Sequence, residues 1–419
     1  MSQLIDCCCP VQDPCPRHLA AHQAAQNLDR AYAVDGVDGD ALGAELDRRG
    51  ISRRAILAGS AGAAMFVQAA ASPAFAGATG HAAAPHPAGR VHELPSTHQT
   101  VKVGEMDPAT PIVLEIESGD IVHYPNTWVN WANEAKYGMA FDAREPIRKR
   151  YPAGPYSLIG PVAVKGAEPG DVIECRMIRL KPIDWGWNSW PHGMGALPDG
   201  FDKPYLHYLK MDPERRFAQF ASGVRIPLAP IQAVMAVQPA GDKPVSGILS
   251  GRYGGNISLR DLQEGSSLFL GVEVPGGRLW TGDSHAAQGD GVVDQTAIET
   301  AMEDLRIQYI LHKKVPLTTP IAETHDAWIV LGYGNTVDDA LIASLKQMMA
   351  WLSRASGLSE ADIYALASIS GSFRITQYSN QTGSVYRNNP AKAVHGVLPK
   401  ALFDASRLAQ ISRSLRPGA

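Results

Sequence analysis

The densest run of residues able to do chemistry is Trp280 to Glu299, WTGDSHAAQGDGVVDQTAIE. Asp283 and His285 are two apart, so in an extended segment both side chains leave one face. A carboxylate oxygen and an imidazole nitrogen could then grip one cation. Asp290 follows in a Gly-Asp-Gly turn, and Glu299 comes after a short apolar stretch that could return antiparallel to the first. Three acids and a histidine could thus converge. A plainer use is also open: aspartate beside glycine caps turns, and a histidine can simply be hydrogen-bonded in a core.

Two more segments carry candidate site residues. In RYGGNISLRD, Arg252 to Asp261, two glycines precede Asn256. They permit positive φ and close backbone approach, so Asn256 and the Gly255 backbone could face a ligand, although Gly-Gly-Asn also makes a hairpin turn. In WGWNSWPHGMG, Trp185 to Gly195, clustered tryptophans could line an apolar pocket, with Trp187 in its wall and His192 near its mouth. Core packing is the competing use of those rings.

The elements that must position these groups read mainly as strands. Ile112, Leu114 and Ile116 alternate with Val113, Glu115 and Glu117, and Ser118, Gly119 and Asp120 form a turn into Ile121 and Val122, the pattern of a half-buried antiparallel strand and its successor. Ile173, Cys175 and Met177 alternate with Glu174 and Arg176 after the turn Glu168 to Asp171. Helical spacing appears late, in Asp338 to Leu352 and in Ser359 to Ile369, where Ser359 is placed to cap. The expected fold is mainly β with α+β elements and a helical insertion near the C-terminal end. No repeat of 20 to 50 residues points to a propeller or solenoid.

Charge narrows the function classes. Lys and Arg number 38 against 42 Asp and Glu, so a net charge of −4 over 419 residues gives no footprint for nucleic acid. The N-terminal part has its own logic. Arg53 and Arg54 precede an apolar run from Ala55 to Ala71 and a small-residue cleavage pattern at Ala74 to Ala76, the three parts of a twin-arginine-type export signal. That run is shorter and weaker than the roughly 20 apolar residues of a membrane span. Residues 1–76 therefore read as a leader, 77–92 as a flexible linker and 93–419 as the catalytic body of a periplasmic or secreted protein with no stable membrane insertion after cleavage. The cluster Cys7, Cys8, Cys9 and Cys15 lacks paired metal-site spacing and would leave with the leader, as would a helical stretch from about His18 to Asp47.

Together the motif-bearing segments resemble the acetamidase/formamidase family. The resemblance rests on GDSHAAQGDG with TAIE at Gly282 to Glu299, GGNISLRDLQEGSSLFL at Gly254 to Leu270 and GWNSWPHGMGALPDGF at Gly186 to Phe201. It extends to GPVAVKGAEPGDVIE at Gly160 to Glu174 and GLSEADIYALASISGSFRITQ at Gly357 to Gln377. It implies a sandwich-like architecture, hydrolysis of small linear or cyclic amides, a divalent metal such as zinc, and admits a homo-oligomer. Three positions depart from the family pattern: Ser258 and Val292 stand where the family usually has acids, and Asp294, followed by Gln295, stands where it commonly has Cys or Ser followed by Gly, though its carboxylate could compensate. The aromatic-rich segment His123 to Met139 points to a larger or less polar substrate.

Amide hydrolysis at neutral pH needs a nucleophile stronger than water, and a zinc-type ion lowers the pKa of bound water from about 15.7 to about 7. The expected roles are Asp283 and His285 as ligands, Glu299 as third ligand or general base, Asn256 or the glycine backbone as oxyanion donor, and Asp290 as the group orienting the loop or His285. A covalent route through Cys175 is disfavoured, because that residue lies on the apolar face of its strand. The rival from another class is an exported binding protein that kept this fold and lost turnover.

Overall fold

The computed structural model describes residues 89–380 and 385–417. The export signal, the cysteine cluster, the early helix and most of the linker lie outside them. The end of the expected linker is already part of the body: Val91–Glu93 pairs in parallel with Ile121–Tyr124, and His92 Nε2 lies 2.7 Å from Asp120 Oδ2.

Two large sheets face each other. One has nine strands, running from Val91–Glu93 through Ile121–Tyr124, Met302–His312, Val172–Pro182, Ser267–Gly271, Ile321–Glu323, Ala327–Gly334 and Lys392–Pro399 to Ser372–Gln377. The other has ten, centred on Leu279–His285, which pairs with Ile231–Ala236 and with Ser157–Val164. Ile173, Cys175, Met177 and Ile307 of the first sheet share one apolar cluster with Ile159, Met235 and Leu279 of the second. Burying these alternate β-branched and long apolar side chains between the layers is what makes a sandwich.

The outer face of the nine-stranded sheet is covered by helices Val337–Ser356, Glu360–Ser370 and Ala405–Leu415. Both helices expected from sequence are present, and Ser359 caps the second as expected. Thr336 and Asp339 form a reciprocal capping box, and the Ser359 side chain accepts from the Asp362 N–H. Gly357 ends the first helix with φ 73°, a left-handed conformation that suits glycine. The last helix was not expected. Because of this helical layer, Val172–Pro182 is buried on both faces near its start, and Glu174 is fully buried rather than exposed. It is matched there by His312 at 2.8 Å, Arg416 at 2.7 Å and Arg176 at 2.8 Å.

One strand expectation is corrected. Leu114–Ile116 and Ile121–Tyr124 do not pair with each other. The first runs parallel to Val162–Val164 in the ten-stranded sheet, and the second pairs antiparallel with Met302–His312 in the other. The turn between them carries the chain from one layer to the next, and Ile112, which precedes the strand, is exposed. Among the described residues no helix is long and apolar enough to cross a membrane.

Candidate active site

Every residue of Leu279–His285 is buried, and its C-terminal end pairs antiparallel with Glu299–Thr300 so that His285 stands opposite Glu299. The return strand inferred from the apolar stretch is therefore present. The strand is not regular throughout. Asp283 has φ 56°, and it falls in a gap of the ladder between the pairs Gln232–Ser284 and Val234–Gly282. Aspartate enters this left-handed region more readily than most side chains, but the conformation is strained within a strand and typical of functional positions.

Asp283, His285 and Glu299 converge. The imidazole Nε2 lies 3.3 Å from Asp283 Oδ2 and 3.2 Å from Glu299 Oε1, yet neither contact has hydrogen-bond geometry. The other ring nitrogen fixes the tautomer. Nδ1 is 2.8 Å from Gln288 Oε1, and the Gln288 amide N–H donates to the Ser258 carbonyl, so Oε1 must accept and Nδ1 carries the proton. Nε2 is then the ring nitrogen left facing the two carboxylates. It and Asp283 Oδ1 are buried polar atoms without a hydrogen-bond partner. This nitrogen-and-carboxylate set, brought within ligand reach of one point, fits a divalent cation.

The electrostatics follow from the crowding. Burial and the Glu299 charge push Asp283 up to about 7. Burial opposes charge on His285, but Glu299 and Asp283 outweigh it and hold the imidazole well above its ordinary value. Glu299 is also pushed up by burial, then carried below the ordinary range by His285 and the Ala297 N–H. All three directions say that the two acids need a positive charge between them.

The cavity over these atoms is lined also by Tyr156, Asn256, Ser258, Val292, Gln295 and Gln377. Asn256 does not face it as a free donor. Its amide nitrogen contacts the Tyr156 hydroxyl at 3.1 Å and the Ile248 carbonyl at 3.4 Å, and its oxygen accepts from Ser258 Oγ at 2.8 Å. Tyr156 thereby keeps its own O–H for the cavity. Burial, then the nearby Asp283 and Glu299 charges, hold that phenol well above its usual range, so it stays protonated. Ser258 and Val292, the positions expected to carry acids in the family, are both buried in this wall. Their neutrality therefore changes the cavity itself.

A second, adjoining cleft of about 500 Å³, open solvent included, shares Tyr156, Gln295 and Glu299 with the first. Trp187 lines it, together with Trp131, Arg148, Met194 and Tyr386. Behind Trp187, the buried Arg144 guanidinium stacks 4.7 Å from the indole and donates to the Tyr208 hydroxyl. Trp131, Ala132 and Asn133 have φ of 58°, 54° and 64°. Left-handed geometry costs about 1–2 kcal/mol per residue, so this wall is held at a price in stability.

Other expected site residues lie elsewhere. His192 is exposed and bonds the Phe201 carbonyl at 3.1 Å, since its ring points along its own loop. Gly255 is a strand residue between Met235 and Ser250; a Cβ there would meet the Leu249 oxygen at 2.3 Å, so close strand packing explains the glycine. Asp290 does not touch His285. It lies with Asp261 and His395 in a separate group and is 3.4 Å from Arg260 and 3.9 Å from Arg374. Gln288 holds the position expected for Asp290. Asp294 is bound to Asn188 and the Thr296 N–H and lines neither cavity. Cys175 is buried, and burial followed by the Glu174 charge pushes its thiol up, against nucleophilic use. Gln288, three residues after His285, was legible as a partner; Tyr156 and Gln377 had no such signal.

The sequence profile described as the Acetamidase/Formamidase family matches residues 240–404. A putative formamidase of Schizosaccharomyces pombe is 27% identical over 207 residues, 36% of this chain and 50% of that protein. A formamidase of Methylophilus methylotrophus is 26% identical over 246 residues, 44% of this chain and 60% of that protein. The matches thus span only half to three fifths of these relatives. Solved acetamidases are similar over more of their length. That of Bacillus halodurans superposes with TM-score 0.66 at 25% identity, covering 74% of this chain and 98% of its own. That of Yersinia enterocolitica gives 0.65 at 25%, covering 77% and 95%.

Proposed function

The chain belongs to the acetamidase/formamidase family, and from that premise we propose that it hydrolyses the C–N bond of an amide to an acid and ammonia or an amine. The observation that carries the reading is the convergence of Asp283, His285 and Glu299 around a buried, unpartnered Nε2 at the foot of a cleft. These three side chains would hold a divalent ion, with zinc favoured by the nitrogen and carboxylate donors. When bound, such an ion supplies Lewis acidity and an acidified water.

The chain's own residues have distinct tasks. Gln288 engages His285 Nδ1 and so leaves Nε2 as the ring nitrogen facing Asp283 and Glu299. The Tyr156 O–H, oriented by Asn256, donates to the amide oxygen as negative charge builds there. Glu299 presents Oε2 toward Asn130, whose amide donates to it at 3.3 Å, and borders both cavities. It is the group placed to receive a proton from water and return it to the departing nitrogen. Asn256 positions; Tyr156 acts.

Ammonia release from formamide, acetamide and small lactams, before and after chelation, tests the proposal. Turnover lost on chelation and restored by zinc supports it. Ligand binding without turnover of any amide would instead favour the binding-protein reading. Export through the Arg53-Arg54 signal is a separate proposal, resting on the sequence pattern alone. Replacing both arginines by lysine should retain the protein in the cytoplasm, and continued export would overturn it.

A further inference from the structure

We propose that the amide taken by this site carries an aromatic ring, seated in the cleft beside the Asp283, His285 and Glu299 cluster. The proposal rests on the amidase reading and names its substrate class. The inner cavity is the smaller of the two spaces, about 320 Å³ against about 500 Å³ with open solvent included, and its walls are mostly polar side chains, so an apolar group gains little there. The larger space is contiguous with it through Tyr156, Gln295 and Glu299, and its walls are Trp131, Trp187, Tyr386 and Met194. Flat apolar rings and a polarisable thioether are the surfaces on which an aryl group gains both area and edge or face contacts.

The wall is built in advance. Trp131 sits in a run of three consecutive left-handed, non-glycine residues, and every backbone N–H of the run is hydrogen-bonded. Its N–H donates to the Pro155 carbonyl at 2.7 Å, its indole N–H to the Tyr386 hydroxyl at 3.1 Å, and the Ala132 N–H to Ser157 Oγ at 3.2 Å. The indole donor is thus satisfied within the wall, and its ring stacks on Trp187 with centroids 6.5 Å apart, so the two indoles form one rigid apolar wall. A strained segment pinned in this way and bordering the reacting groups is a preorganised recognition surface. Gln295 and Glu299 border both spaces, so an amide end can lie at the cluster while the ring lies against the indoles; Asn130, Arg148 and Ser189 also border the cleft.

The test compares kcat/KM for phenylacetamide and acetamide. Burying a phenyl ring predicts a preference of roughly 10- to 100-fold for phenylacetamide. Met194→Trp, which fills the cleft, and Trp131→Leu, which removes its wall, should each cut that ratio by about tenfold. Because the ratio is taken within one preparation, partial misfolding of a variant cancels from it. Ammonia from acetamide with no preference for phenylacetamide would overturn the inference and leave the amidase reading standing. If no amide is turned over, that reading fails, and binding decides the inference: phenylacetate should quench tryptophan fluorescence at a concentration about tenfold or more below that of acetate. Equal affinities would overturn it.

Discussion

Gln288→Leu should weaken metal binding at the cluster while the fold persists. The side chain accepts from His285 Nδ1 at 2.8 Å and donates to the Ser258 carbonyl, joining the loop after the strand to the segment after Asn256. Leucine keeps much of the volume and removes both bonds. It leaves the Nδ1–H, in a side chain only 3% exposed, without its acceptor. A buried donor left unmade costs about 1–3 kcal/mol, and loss of the partner that orients a ligand histidine typically lowers metal affinity about 10- to 100-fold. The two figures agree, since 10- to 100-fold is about 1.4–2.8 kcal/mol. Competition with a zinc chelator of known affinity measures the change directly, and Gln288→Glu, which preserves an acceptor at Nδ1, should recover most of it. If the leucine variant holds metal within about threefold of the wild type, the tautomer argument is wrong and His285 is not oriented as a ligand.

Three other consequences concern different parts of the molecule. Tyr156→Phe should lower kcat about 10²- to 10³-fold with little change in KM, the signature of a lost oxyanion donor; a change below threefold would remove Tyr156 from the chemistry. Leu352→Ala, at a fully buried position between helix and sheet, should cost about 2–5 kcal/mol in denaturant unfolding; a cost below 1 kcal/mol would mean the helical layer is not docked as described. The third concerns pH. Burial pushes His395 down to about 3, with Arg374 and Arg260 adding to the effect. An unfolded histidine near 6.5 then takes up a proton that the fold refuses, so the stability is present above pH 6.5 and falls, at about 1.4 kcal/mol per pH unit at most, toward pH 3. His395→Gln should flatten that slope between pH 6.5 and 5, and an unchanged slope would contradict it.

The part of the site that was legible came from local spacing. Asp283 and His285 lie two apart, and the return of Glu299 needed only a turn and a second short strand. The family resemblance drew on the same long block. The start of the second late helix was legible too, because Ser359 is a capping residue whose chemistry acts within a few residues, whereas the Thr336–Asp339 box of the first was not read. What failed was non-local. Asp290 is two residues from Gln288, but the intervening turn sends its carboxylate toward Arg260 rather than His285. Asn256 was expected to act on the ligand, yet its donors are spent on Tyr156, 100 residues away in sequence. Glu174 follows the alternation that would expose it, and only the helical layer over the sheet, with Arg416 at its end, explains a buried acid there. The left-handed turn at Trp131 has no glycine to announce it.

The central claim is that Asp283, His285 and Glu299 form the metal-dependent centre of an amidase. The most direct test measures bound metal and ammonia release on the same preparations of wild-type protein and His285→Ala. The account predicts about one divalent ion per chain at this centre and amide-dependent ammonia release in the wild type, with both lost together in the variant. Undiminished ammonia release by His285→Ala would contradict it.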